Sequence, residues 1–120
     1  MYADLFEVRV ARGRHRFAAT LQSKIDTAMV SADRMSRGDG SVIKYVSDSY
    51  RHSHSIYGVG ATVGFAATGL AAHAAETALM QAYLEKRGLT GTEVQSLKRA
   101  LVRLREVAAS ELRSMYQRGG

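Results

Sequence analysis

The run His54-Ser55-Ile56-Tyr57-Gly58-Val59-Gly60-Ala61-Thr62-Val63-Gly64 decides how the rest of the chain is read. It sets a histidine four residues before one glycine and ten before another. On a helix, positions i and i+4 share a face, one turn apart. The imidazole of His54 therefore stands above Gly58, a position with no side chain. Glycine inside a helix costs about 1 kcal/mol relative to alanine. A bare position kept beside a nitrogen nucleophile points to a site that something large must approach. Gly64 predicts the end of the helix, because glycine enters the left-handed C′ conformation without strain.

Working outward, the pattern predicts a helix over 41–63 with two stripes. Val42, Val46, Ser49/Tyr50, Ser53, Ile56/Tyr57, Gly60 and Val63 form its core face. Ser47, Arg51, His54, Gly58 and Ala61 follow beside it at steps of four, three, four and three. This second stripe is small and weakly hydrophobic, with one cation a turn before the histidine. It reads as an exposed docking strip at the edge of the core.

Upstream, Phe17, Leu21, Ile25, Ala28, Ala32 and Met35 recur at helical spacing and form an amphipathic stripe. Before it, residues 1–12 predict a short additional N-terminal helix, with Asp4 as its cap and Gly13 as a joint. Arg37-Gly38-Asp39-Gly40 predicts the turn into the next helix, with Asp39 as a cap. Downstream, a third helix is expected over 65–87, with Leu70, Ala74, Thr77 and Leu84 facing inward and Leu79 and Tyr83 at the boundary. Gly88 is its expected stop. Thr90 and Glu93 have capping-box spacing. Val94, Leu97, Leu101, Leu104, Ala108, Leu112 and Met115 then give the clearest seam in the chain, and the tail from Gln117 to Gly120 is expected to fray. Four long helical patterns joined by short turns predict an all-α fold, an antiparallel four-helix bundle with the short N-terminal helix added. Residues 1–120 are read as a single domain with the bundle core at about 14–117.

The chain has no cysteine, which removes disulfides and thiolate metal sites, and no proline, which suits uninterrupted helices. Seventeen basic against 11 acidic residues give a formal charge of +6. The basic residues are spread along the chain, as on solvated helix faces, and would also suit an acidic partner. No basic-then-apolar leader is seen, so a cytoplasmic setting is expected. The uncharged run Ser55–Ala72 has the length of a membrane span but is dominated by glycine and alanine, so no membrane insertion is expected. Gly58, Gly60 and Gly64 do not make a dinucleotide loop, since the third glycine comes one place late and no strand precedes it. His52 points to another side of the helix from His54, and His15 and His73 lie on other helices without an acidic cluster, so no metal site is expected.

From these residues alone, His54 fits an ordinary surface histidine as well as a functional one. The stretch also resembles the signature of histidine phosphotransfer (HPt) domains: a histidine, a glycine at +4 and a glycine at +10, with a hydrophobic residue at +2, here Ile56. Glu76 falls at +22, within Ala75-Glu76-Thr77-Ala78-Leu79, where many members carry a glutamate. Arg16-Phe17-Ala18-Ala19-Thr20-Leu21 is similar to the family's preceding helix. The one departure is Tyr57, where the family often has a lysine near the phosphate.

The resemblance implies a carrier that accepts a phosphoryl group on His54 and passes it on. Gly58, Arg51, Ala61, Tyr57 and Ser47 would provide partner docking and steric access, and Gly64 would close the helix. It implies no cofactor of the chain's own, with Mg²⁺ supplied by the receiver partner, and no autokinase activity. The partners it implies are response-regulator receiver domains and a hybrid histidine kinase, met by a monomer. The alternative is a non-catalytic helical-bundle module that binds such a partner through the His54 face. Nucleic-acid binding by the basic helices has no aromatic-plus-basic platform or recognition helix behind it.

Overall fold

The computed structural model of the chain describes residues 2–36 and 40–118. Four helices follow one another: α1 (Tyr2–Ala32), α2 (Ser41–Gly60), α3 (Ala66–Glu85) and α4 (Gly91–Gln117). Each packs against its neighbours in the chain, and α1 closes the four-helix bundle against α4. The expected Asp4 cap, the cap at Asp39 with its Arg37–Asp39 turn, and the end of the tail at Gly119 and Gly120 lie outside the described residues and side chains.

The first helix differs from expectation. No separate short N-terminal helix forms, and α1 runs unbroken through Gly13. A single glycine lowers helix stability by about 1 kcal/mol without breaking the hydrogen-bond ladder. Next to it, Arg14 Nε donates to the Val63 carbonyl at 2.8 Å, which ties α1 to the turn after α2. Beyond that tie, Leu21, Ile25, Ala28, Ala32 and Met35 are buried as their spacing predicts, and Phe17 packs tilted on Phe65 at 5.1 Å between ring centroids.

Helix α2 buries Val42, Val46, Ser49, Ser53, Ile56 and Gly60. It stops at Gly60, three residues before Val63, and Gly64 adopts the expected positive φ of +91° in the turn that follows. The stop coincides with a close approach of α2 to α3. A Cβ on Gly60 would sit 2.9 Å from the Phe65 carbonyl oxygen and 3.2 Å from Gly69 Cα. At Gly69, a Cβ would lie 3.4 Å from the Tyr57 carbonyl oxygen. The two glycines let the α2 and α3 backbones come together at this end of the bundle.

That approach sets the rotation of α3, and it overturns the expected inward face. Leu70 and Leu84 are 70% and 66% exposed, and Ala74 and Thr77 also face solvent. The buried face is Thr68, Gly69, Ala72, Ala75, Glu76, Leu79 and Ala82. Leu79, expected at the boundary, is fully buried. An alanine-rich helix has little contrast between its faces, so two leucines misplace the core in a periodicity reading. The N-terminus of α3 is capped from α4, where Glu111 Oε1 accepts from the Thr68 N–H at 2.6 Å. Its C-terminus is closed by Lys86, not Gly88. Lys86 takes the left-handed conformation at φ 51°, and its N–H bonds back to the Ala82 and Tyr83 carbonyls.

Helix α4 is the most legible element. The capping box at Thr90 and Glu93 forms in both directions. Val94, Leu97, Leu101, Leu104, Ala108 and Met115 are buried, with Leu112 packed partly buried against them. Among the described residues, no helix is long and apolar enough to cross a membrane.

Candidate functional site

The outward strip of α2 is where its spacing places it: Arg51, His54, Gly58 and Ala61 are exposed, and Ser47 is half-buried. The His54 side chain keeps 65% of its surface in solvent. A Cβ on Gly58 would meet nothing within 4 Å, so the surface beside the ring is open. Ser47 and Arg51 continue the strip toward the start of α2 and line a cleft against the end of α3. Gly64, at the far end, shapes the turn and takes no part in the surface around the ring.

The ring is held from below. His54 Nδ1 lies 3.1 Å from Oε1 of Glu76, whose side chain is only 6% exposed. A carboxylate can only accept, so with Glu76 ionised the bond fixes the proton on Nδ1. The lone pair then sits on Nε2, at the opposite edge of an exposed ring. The second Glu76 oxygen is buried without a partner, which leaves His54 as the one hydrogen-bonded partner of that carboxylate among the described residues. Burial without other partners strengthens the single bond the group does make. The rotation of α3 produces this arrangement, since the face that turns inward includes Glu76.

A column of rings flanks the pair. Tyr50, one turn before His54, lies nearly parallel to the imidazole at 6.1 Å between centroids. On its other side Tyr50 stacks on Tyr83 of α3 at 4.0 Å. Loss of solvent pushes the Tyr50 hydroxyl above the ordinary phenol range, and the Glu76 carboxylate and Tyr83 add to the effect. Its phenol therefore stays protonated beside Glu76. Sequence reading placed Tyr50 on the core face and missed this shelf, although its i,i+4 spacing from His54 was a usable signal.

Tyr57 is 39% exposed and packs against His73 of α3, ring to ring at 4.4 Å and 41°. It fills the core edge with an aromatic contact. His52 is half-buried on another side of α2, and His15 is exposed on α1. Among the described residues, no group of three or more His, Cys, Asp or Glu side chains is placed to hold a metal ion.

Chemically, the site offers a nitrogen nucleophile with a fixed tautomer, a carboxylate behind it to balance positive charge on the ring, and free space in front. No protein-family model, curated protein or solved structure matches this chain.

Proposed function

We propose that the chain is a histidine-containing phosphotransfer protein, an HPt-like carrier that accepts a phosphoryl group on His54 from a receiver aspartate and passes it to another receiver. The observation that carries this reading is the His54–Glu76 pair, with its ring exposed beside the open position at Gly58. The Nε2 lone pair attacks the phosphorus of the partner's aspartyl phosphate. An N–P bond forms as the P–O bond to the aspartyl oxygen breaks, and the bonding electrons leave with that carboxylate. The ring becomes a phosphoryl-imidazolium with its proton still on Nδ1, and the Glu76 carboxylate faces the new positive charge. Onward transfer is the same step in reverse with a second receiver aspartate.

Mg²⁺ held by the receiver would neutralise charge on the phosphoryl oxygens during transfer. Exposed Arg51, one turn from His54, adds a cation on this side of the interface. Gly58 and Ala61 keep the approach clear, while Tyr57 gives the partner an apolar edge in place of a lysine. On this reading the protein works as a cytoplasmic monomer between a hybrid histidine kinase and its receivers.

The test is incubation with radiolabelled phosphorylated receiver domains. Acid-labile, base-stable label is expected on the wild type and absent from His54→Gln. A receiver that binds tightly yet never transfers label would replace this reading with that of a non-catalytic interaction module.

A further inference from the structure

The geometry points to a second site, a cleft between the first half of α2 and the last turn of α3 that binds a small organic anion with an apolar, ring-sized body. The cleft has a volume of about 320 Å³, at the lower end of the range for small-molecule pockets. Its lips are two large aliphatic side chains left in solvent, Ile43 at 45% and Leu84 at 66% exposure. The ring of Tyr83 forms part of its wall. Three cations border it, of which Arg87 is engaged by Glu85 and Glu93. The other two, Arg51 and Lys86, are exposed and have no acidic partner among the described residues.

Each half of this lining disfavours a simpler occupant. A neutral apolar molecule would leave both cations unused, and a bare inorganic anion would leave Ile43, Leu84 and the tyrosine ring unused. A carboxylate or phosphate on an aromatic body uses both halves. At the end of α3 the Ala82 and Tyr83 carbonyls are taken up by the N–H groups of Lys86 and Arg87, and the rim cations offset the remaining negative end of the helix.

Lys86 is the left-handed residue that closes α3, at φ 51°, and from that position it lines the cleft. The cleft also communicates with His54. An occupant against Tyr83 touches the aromatic column that runs through Tyr50, 4.0 Å from Tyr83, to the imidazole, 6.1 Å further on.

The site stands independently of phosphotransfer, and its test reads binding alone. The probe is phenyl phosphate, titrated into ¹⁵N-labelled protein and followed by NMR, with benzoate as a second head group and inorganic phosphate and phenol as controls. Saturable shifts are expected at the backbone amides of Ile43, Tyr83, Leu84 and Lys86, with smaller ones at the Tyr50 amide and the ring nitrogens of His54. Benzoate should bind at the same residues, and the two controls about tenfold or more weaker. Lys86→Gly suits the left-handed conformation and so keeps the fold, but should weaken phenyl phosphate about tenfold; Arg51→Gln should do the same. Undiminished binding to both variants, shifts scattered over the surface, or inorganic phosphate binding as well as phenyl phosphate would overturn the proposal.

Discussion

His54 Nδ1 and Glu76 Oε1 meet at 3.1 Å across 22 residues of sequence, one atom on an exposed ring and the other on a buried carboxylate. The bond orients the ring and assigns its proton, so the two residues act as a unit. Glu76→Gln keeps a hydrogen-bonding partner but can donate as well as accept, and Glu76→Ala removes the partner, so both should release the tautomer. Ring ¹⁵N shifts of His54 are expected to report an Nδ1–H tautomer in the wild type and a mixture in Glu76→Gln and Glu76→Ala. Phosphoryl transfer should fall roughly ten- to hundredfold in Glu76→Ala, as expected when a reacting group loses its orientation. An unchanged tautomer in Glu76→Ala would show that the carboxylate does not set the proton.

Gly58 separates stability from access. A Cβ there meets nothing within 4 Å, so Gly58→Ala should gain helix propensity of up to about 1 kcal/mol and raise Tm by a few degrees. Gly58→Leu should fold equally well and still lose transfer from a receiver. Thermal melts and a transfer assay on the same two proteins decide the point, and full transfer by the leucine variant would dispose of the steric argument.

Gly60 should behave in the opposite way. Its added methyl would sit 2.9 Å from the Phe65 carbonyl oxygen, a backbone atom that moves only if the helices part. Gly60→Ala is therefore expected to destabilise by about 1–3 kcal/mol despite the better helix former. Denaturant titration of the two alanine variants should show midpoints displaced to opposite sides of the wild type.

Acid should loosen the α3–α4 corner. Arg87 hydrogen-bonds Glu93 and, with the Thr90 N–H and hydroxyl, holds its carboxyl at about 2, below the ordinary 4.5. A depressed folded-state value means that the unfolded chain takes up the proton first. The stabilisation is complete above about pH 4.5 and is lost as pH falls toward 2. Allowing for solvent at this partly exposed pair, the loss is about 1–2 kcal/mol. Tm measured from pH 6 to pH 2 should fall less steeply for Arg87→Gln than for the wild type.

Much of the bundle was legible because polarity contrast along a single helix carries the information. The seam from Val94 to Met115, the stripe from Phe17 to Met35, the Thr90–Glu93 box and the positive φ of Gly64 are all local properties of side chain or backbone. So is the outward strip carrying His54, since it lies beside a core face the sequence defines. The continuity of α1 through Gly13 was not legible, because one glycine costs a helix only about 1 kcal/mol and reads the same as a joint, and the tie from Arg14 to the Val63 carbonyl joins distant parts of the chain.

What the amino-acid order determined alone was therefore four amphipathic or alanine-rich helices, the Thr90–Glu93 cap of the last of them, and a histidine facing out above a bare position. Tertiary structure decided what stands behind that histidine. Alanine presents the same surface on every side, so the rotation of α3 had no preferred answer until Gly60 and Gly69 brought two backbones together. That contact turned Leu70 and Leu84 out and Glu76 in, and with it placed the carboxylate under His54 and the cleft beside Lys86.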